Sequence, residues 1–202
     1  WFTPSLEVDL CGHATLASAR ILFDYYPDRA GEEINFDSKS GNLKVTKCND
    51  GLCLNFPTDQ PIENELDSLF IEILDIEPLK LLRGKDDYLA VFKNQKQIED
   101  IQPKLTLLKK INARGLVISA PGDEVDFVSR CFYPEAGIEE DPVTGSAHTM
   151  LTPYWANQFN KEDLEGHQLS KRGGKLNCRL VNDRVYISGN SVIYFEGTIS
   201  IV

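Results

Sequence analysis

Two short segments of the chain place polar side chains where helices are predicted to begin. The first, "EVDLCGHATLASARILF" at residues 7–23, carries Cys11, Gly12 and His13 directly before an Ala- and Leu-rich run. The N-terminus of a helix presents unpaired N–H groups and a partial positive charge, and a glycine there lets a ligand approach the backbone closely. The triplet is therefore a candidate metal site, thiol nucleophile or anion site, or a feature of packing alone.

The chain repeats this arrangement once. In each copy an aromatic strand is followed by a proline, an acidic turn and a Gly-(His/Ser)-Ala sequence that opens a helix. The equivalent positions are Pro4 and Pro134, Gly12 and Gly145, His13 and Ser146, and Ala14 and Ala147. Two such helix starts, one from each of two related halves, would converge on one anion, such as a substrate carboxylate or a developing oxyanion. That geometry suits proton transfer and needs no metal.

Further candidate residues surround the second helix start. Asp141 precedes Gly145 in the sequence, where its carboxylate would hold a substrate amino group, assist proton transfer or belong to a plain Asp-Pro turn. Ser146 is both a candidate ligand contact and a candidate helix cap. Arg172 would bind a carboxylate through two hydrogen bonds or lie exposed in a hairpin turn. His148, one turn into the helix, would face either a cleft or the core.

The composition disfavours several classes of partner. The 202 residues carry a net charge of −10 and their basic residues are scattered, so neither a nucleic acid nor an anionic membrane is expected as a partner. The five cysteines include no C-x-x-C pair, which indicates reduced thiols in a cytoplasmic protein and argues against a zinc site. No apolar run is long enough to span a membrane, and no signal peptide is visible. A small-molecule substrate or a protein partner is favoured.

Apolar spacing and turn residues predict an α+β protein with many short strands and two conspicuous helices. Helices are predicted over residues 12–25, where Pro27 stops the helix, over 62–74 and 145–159, and near 94–100 and 104–110. Strands are predicted over residues 33–38, 42–48, 52–57, 78–84, 88–93, 115–121 and 125–134, and several follow before the chain ends in 191–202. The helices that begin at Gly12 and Gly145 must position the candidate residues.

Three segments together resemble one known family. "WFTP..EV.LCGHATLA", "GI.EDPVTGSAH" and "S.RGG.L" are similar to motifs of the PhzF family of phenazine-biosynthesis-like isomerases, and the resemblance runs from Trp1 to the end of the chain. It implies the diaminopimelate epimerase-like fold, in which two pseudo-symmetric halves each wrap a mixed sheet around a central helix. We expect the halves at residues 1–76 and 77–202, and leave open whether the last strand returns to the first half.

The resemblance implies a cofactor-independent isomerase that moves a proton on a small cyclic amino-acid-like substrate in the cleft between the halves. The expected catalytic residues are His13, Asp141 and Ser146, and the expected substrate-binding residues are Gly12, Thr144, Gly145 and Arg172. No metal and no cofactor are expected. Members of the family are often dimers, so we expect a homodimer. A role in phenazine production itself is not expected to follow.

The main acid/base of the family is a glutamate in a "SETAF"-like segment upstream of "WFTP", and the sequence from Trp1 onwards contains no such segment. The alternative function is therefore a catalytically inactive PhzF-like protein that binds a ligand or a partner. A cysteine-dependent epimerase is disfavoured, because epimerases of this fold use one cysteine from each half and Thr144 takes the second position. Cys11 is interpreted as a small buried residue at a tight turn.

Overall fold

The chain folds into two compact units. The computed structural model describes residues 1–2, 7, 11–39, 41–49 and 51–198. The first unit contains residues 1–54 and 188–202, and the second contains residues 55–187. Among the described residues, no helix has both the length and the apolar character needed to cross a membrane.

The predicted boundary between halves, at residues 76 and 77, differs from this division. The backbone N–H of Asp59 donates to the carbonyl of Thr149, and Phe70 and Ile73 lie in the main apolar core of the second unit. These contacts place residues 55–76 in the second unit. The two pseudo-symmetric halves stay a prediction.

The first unit begins with a helix and continues into three strands. Its helices are α1 (Gly12–Tyr25) and α2 (Pro27–Ala30). Its strands are β1 (Glu33–Ser38), β2 (Gly41–Cys48) and the first four residues of β3 (Gly51–Pro57), in the sheet order β1-β2-β3. Alternate residues of β2 and β3 are buried, as expected for strands with one covered face. Helix α1 contacts β2 and buries Ala19 and Phe23, which lie one turn apart on one side of the helix.

The second unit is a mixed sheet with helices on both faces. Its elements are β4 (Ile62–Asn64), α3 (Ser68–Leu74), β5 (Lys80–Arg83), β6 (Asp87–Val91), α4 (Gln95–Asp100), α5 (Leu105–Leu108), β7 (Gly115–Pro121), β8 (Phe127–Phe132), α6 (Gly145–Phe159), β9 (Asp163–Gln168), β10 (Gly174–Val181) and β11 (Arg184–Gly189). The strand order is β11-β10-β9-β8-β7-β6-β5-β4. The β6–β7 and β8–β9 pairs are parallel, whereas β4–β5, β5–β6, β7–β8 and β9–β10 are antiparallel.

Strand β7 shows why both faces of this sheet are buried. Leu116 and Ile118 belong to the core shared with α3, α4 and α5. Ser119, which points to the opposite face, accepts a hydrogen bond from the indole N–H of Trp155 on α6 at 2.9 Å. Helix α6 is buried along most of its length, which is typical of a helix enclosed by its own domain. The sheet therefore packs against the C-terminal part of α6 through this contact.

The predicted helix over residues 62–74 is wrong in its first half. Residues Ile62–Asn64 form β4, and α3 begins only at Ser68. The carboxylate of Asp67 accepts a hydrogen bond from the N–H of Leu69 at 2.9 Å, so Asp67 caps the helix and fixes its start.

The predicted helix over residues 12–25 is confirmed, since α1 covers Gly12–Tyr25. Pro27 begins the separate short helix α2, because proline fits the first helical position. The predicted strand over 191–202 is not found: residues 190–198 have no regular secondary structure, and residues 199–202 lie outside the described part of the chain.

Candidate functional site

The start of α6 carries a threonine whose side chain points away from the helix. Thr144 is the N-cap residue, with extended backbone angles of φ −116° and ψ 96°, and it forms no side-chain capping hydrogen bond to a described residue. Its hydroxyl instead donates to the Asp141 carboxylate. The first N–H groups of a helix have no partner within the helix. A carboxylate therefore lies beside backbone donors for which the helix itself provides no acceptor.

Gln168, the last residue of β9, forms side-chain hydrogen bonds with both ends of the turn formed by residues 141–144. Its fully buried side chain accepts a hydrogen bond from the N–H of Thr144 at 2.8 Å. Its amide nitrogen donates to the backbone carbonyl of Asp141 at 2.6 Å and contacts Oγ1 of Thr144 at 3.1 Å. The amide thus satisfies three polar groups in the turn that carries the two predicted residues.

An ion pair anchors the other end of the turn. The buried guanidinium of Arg130 on β8 forms two hydrogen bonds with the Glu140 carboxylate, at 2.7 and 3.0 Å. The adjacent N–H of Asp141 donates to the carbonyl of Cys131 at 2.9 Å. Asp141 is therefore held between a strand of the sheet and a buried glutamine.

The turn that carries Arg172 packs against the same region. The Ser170 hydroxyl donates to the carbonyl of Pro142 at 2.8 Å and accepts from the N–H of Gly173 at 3.0 Å. A Cβ atom at Gly174 would come within 2.3 Å of the Val143 side chain, so a larger residue would push the two turns apart. The Arg172 side chain is exposed, which leaves it able to contact a ligand from solution.

His148 belongs to the core rather than to the exposed helix start. Its Nδ1 lies 2.8 Å from the carbonyl of Thr144, one turn earlier, and its ring packs 5.8 Å from that of Phe127. Nε2 is buried and has no hydrogen-bond partner among the described residues. Burial lowers the pKa of His148 to about 4, against the small opposing effect of the bond to Thr144. The imidazole is therefore neutral at physiological pH.

This neutral histidine predicts a loss of stability in mild acid. Between pH 6.5 and about 4 the unfolded chain binds the proton of His148 while the folded chain does not, so the free energy of unfolding falls as pH is lowered. The full effect is about 3 kcal/mol. Urea denaturation at a series of pH values measures it. His148→Asn, which retains a donor for the Thr144 carbonyl, should show a shallower dependence by one proton, and equal slopes for the two proteins would contradict the assignment.

Two further groups below the turn hold their protons tightly. Burial raises the pKa of the Cys131 thiol, and it raises that of the Tyr133 phenol well above its ordinary value. The Tyr133 hydroxyl donates to the buried Asp87 carboxylate at 3.4 Å, and that carboxylate is paired with Arg114. Neither Cys131 nor Tyr133 is therefore available as a base near neutral pH.

The start of α1 lies in the first unit and has a related local structure. Cys11 is its N-cap, with φ −142° and ψ 92°, and the hydroxyl of Thr15 donates to the Cys11 carbonyl at 2.8 Å. Gly12 is buried, whereas the side chain of His13 is exposed. Sγ of Cys11 lies 3.5 Å from Nε2 of His13. Cys11 is half-buried rather than buried, because its thiol turns towards the exposed histidine.

The two helix starts share more than the sequence motif indicates. Both N-cap residues are extended and lack a side-chain cap from the described residues, and in both the side chain four positions on bonds the N-cap carbonyl, Thr15 in α1 and His148 in α6. Each is preceded by a short antiparallel bridge, Phe2 to Glu7 and Tyr133 to Ile138. Pro4, paired with Pro134 by the repeat, lies outside the described residues. The repeat in the sequence is therefore matched by a repeated local structure in the described residues around the two helix starts.

Within the second unit, the structure brings several of the predicted residues together. Asp141 and Thr144 are in contact, while Gly145 and Ser146 form the first turn of α6, so Ser146 lies inside the helix and is not its N-cap. His13 and Gly12 belong to the first unit. No three His, Cys, Asp or Glu side chains converge on a metal position within the described ranges. The catalytic and substrate-binding roles of all seven residues stay predictions.

Sequence reasoning missed Gln168 and Arg130. Both lie in strands whose neighbouring residues are buried: Leu164 and Gly166 share the buried face of β9 with Gln168, and all of β8 is buried. A long polar side chain on the covered face of a strand needs a partner in the interior. A long polar residue within an otherwise apolar strand is therefore the feature of the sequence from which Gln168 and Arg130 could have been identified.

Comparisons with known proteins agree on one family. The family model described as "Phenazine biosynthesis-like protein" (PhzC-PhzF) matches residues 1–197. An uncharacterized isomerase of Halalkalibacterium halodurans is 44% identical over 195 residues, which cover 95% of this chain and 74% of that protein. A similar uncharacterized isomerase of Pseudomonas aeruginosa is 43% identical, over 98% of this chain and 76% of its own.

Solved structures confirm the α+β fold class. The crystal structure of a PhzF-family protein from Enterococcus faecalis superposes with a TM-score of 0.92 and 40% identity, over 100% of this chain and 77% of that chain. A predicted epimerase from Pseudomonas aeruginosa shares the fold, with a TM-score of 0.61 at 16% identity over 93% of this chain and 73% of that one. The chain is thus similar to proteins about one third longer than itself.

Proposed function

We propose that this chain, which belongs to the PhzC-PhzF family of phenazine biosynthesis-like proteins, is an isomerase that moves a proton on a small cyclic amino-acid-like substrate without a cofactor. Relatives named as isomerases support the reaction class. The observation that carries the proposal is the Asp141 carboxylate, held beside the uncapped start of α6 by Thr144 and Gln168. Acid/base chemistry needs a positioned proton carrier and donors for the charge that develops.

The proposed reaction is a shift of one hydrogen. A C–H proton leaves a ring carbon, the electron pair of that bond moves through the neighbouring double bonds, and a proton is added at another carbon. Asp141 assists this transfer or holds the substrate amino group that orients the ring. Of the two predicted backbone donors, the N–H of Thr144 is already bonded to Gln168, so the N–H of Gly145 is the one that would stabilise negative charge at the helix start, where the partial positive charge of the helix favours it.

The remaining predicted residues have supporting roles in this proposal. Ser146, on the first turn of α6, offers a hydroxyl to the substrate. Exposed Arg172 would bind a substrate carboxylate, since guanidinium matches that group with two parallel hydrogen bonds. His13 supplies an imidazole that donates or relays a proton, and Gly12 leaves its helix start open to a ligand. A homodimer and a cytoplasmic location are part of the same proposal.

Solvent hydrogen exchange tests the function. We expect the chain to incorporate deuterium from D2O into a ring carbon of a suitable cyclic amino acid, such as a dihydro-hydroxyanthranilate, as measured by NMR and mass spectrometry. Cys11→Ala should retain the exchange, because the thiol has no role in the proposed chemistry. Saturable binding of the ring compounds without any exchange would show instead a catalytically inactive binding protein.

A further inference from the structure

We propose that Gln168 is the positioning residue for Asp141, and this inference rests on the proposed function. It acts through the turn of residues 141–144, which it holds at both ends, and it has no contact of its own with a substrate. The argument depends on the direction of each hydrogen bond around its amide.

The oxygen and the nitrogen of the Gln168 side-chain amide form hydrogen bonds with different groups. Its oxygen accepts from the Thr144 N–H at 2.8 Å, and its nitrogen donates to the Asp141 carbonyl at 2.6 Å. These partners are three residues apart, so the glutamine closes the turn in the way that a backbone hydrogen bond closes a β-turn. Because the side chain is fully buried, water does not compete for either bond.

The third contact sets the direction of the threonine hydroxyl. Gln168 Nε2 lies 3.1 Å from Oγ1 of Thr144 and can only donate to it, since an amide nitrogen has no acceptor site. The hydroxyl hydrogen is thereby left for the Asp141 carboxylate, to which it donates. The amide donates to the hydroxyl and the hydroxyl donates to the carboxylate, so one chain of hydrogen bonds ends on the proposed catalytic group. Hydrogen bonds in such a chain strengthen one another.

Packing alone does not account for a glutamine at this position. Leu164 and Gly166 lie on the same buried face of β9, and the backbone of this strand is already held by its pairing with β8, where Ser129 is the register partner of Gln168. An apolar side chain would fill the space without the cost of burying an amide. Among the described residues, the hydrogen bonds of this amide all go to the turn that carries Asp141 and begins α6.

The test compares Gln168→Met, which is close in size and removes all three hydrogen bonds, with Asp141→Asn and with the double variant. We expect Gln168→Met to change the same kinetic parameter as Asp141→Asn, kcat or KM, by about tenfold. We expect the double variant to be no worse than Asp141→Asn alone, because both changes act on one group. Ser119→Ala, which removes another buried polar group from the same unit, should leave both parameters within twofold.

Amide hydrogen exchange gives a readout that needs no turnover. The Thr144 N–H should exchange faster in Gln168→Met while the other amides of α6 keep their protection. If the wild-type chain shows no isomerase activity, the proposed function fails and this exchange pattern alone decides whether Gln168 holds the turn. Loss of protection throughout the second unit, or kinetic effects of Gln168→Met and Asp141→Asn that add fully, would overturn the positioning role.

A second substitution guards against failure of Gln168→Met to fold. Gln168→Glu keeps an acceptor for the Thr144 N–H but, once ionised, has no hydrogen to donate to the Asp141 carbonyl or to Thr144 Oγ1. We expect it to reduce turnover at least as strongly as Gln168→Met while protecting the Thr144 amide. Wild-type turnover in Gln168→Glu at pH values where the introduced carboxyl is ionised would overturn the proposal.

Discussion

Asp141→Asn should reduce the rate of substrate hydrogen exchange by about 10²- to 10⁴-fold, the range for removal of a general acid/base. Asparagine has nearly the same shape and keeps an oxygen that can accept from the Thr144 hydroxyl, so the turn should keep its conformation. What the substitution removes is the ability to take up and release a proton. The free energy of unfolding should change by less than about 1 kcal/mol, as is usual outside a core or a buried ion pair.

The control for Asp141→Asn is Asp163→Asn. Asp163 lies on β9 in the same unit, and its side chain is 70% exposed in a surface pair with Arg179, at 3.4 Å. It removes the same charge without touching the start of α6. If both variants retain exchange within twofold of the wild type, Asp141 is a turn residue and not part of the chemistry. A rise in KM at unchanged kcat would assign it to substrate binding instead.

The sequence predicts α6 well because local residues determine where the helix begins and where it ends. The expected helix and the observed one both cover residues 145–159. Gly145 begins the helix after an Asp-Pro turn, and Asn160 ends it in the left-handed conformation, with φ 51°. Local signals of this kind need no information from distant parts of the chain. The repeat around Gly12 and Gly145 could be found for the same reason.

What surrounds the helix start could not be predicted in the same way. Gln168 lies 24 residues beyond Thr144 and reaches it only because β9 pairs with β8 in the parallel direction. Arg130 precedes Glu140 by 10 residues and faces the carboxylate only once the chain turns back after β8. Contacts made by tertiary structure leave no spacing pattern in the sequence. Such contacts leave only a polar residue in an otherwise apolar strand. That residue indicates that a buried partner exists, but not which residue it is.

The predicted helix over 62–74 shows the opposite error. Apolar spacing continues through that range, but α3 starts late, where the Leu69 N–H donates the capping hydrogen bond to the Asp67 carboxylate. Residues Ile62–Asn64 pair instead with β5, in register with Leu81 and Arg83. A cap and a strand partner together outweigh a weak helical pattern, because each satisfies backbone groups that would otherwise be unpaired.

Arg130→Met should destabilise the chain by about 3 kcal/mol, the low end of the cost of removing one partner from a buried ion pair, because the Glu140 side chain is 24% exposed. The guanidinium donates to the carbonyls of Ile98 and Ile101, at 3.1 and 2.6 Å, as well as to Glu140, and it lies 5.1 Å from the ring of Phe132. Methionine fills part of the space but leaves a carboxylate and two carbonyls without their donor. Such a loss is a large part of the total stability of a typical domain.

Urea denaturation of Arg130→Met and of three comparison variants tests this prediction. Glu140→Gln, which keeps an acceptor for the arginine, should cost less than Arg130→Met, and the double variant should recover stability because no unpaired carboxylate remains. Lys96→Met breaks an exposed pair with Asp100 and should change stability by less than about 0.5 kcal/mol. A loss below about 1 kcal/mol in Arg130→Met would show that the pair does not hold the turn. Together with Gln168, Arg130 would then anchor the turn that carries Asp141, since the N–H of Asp141 donates to the carbonyl of Cys131, the next residue of β8.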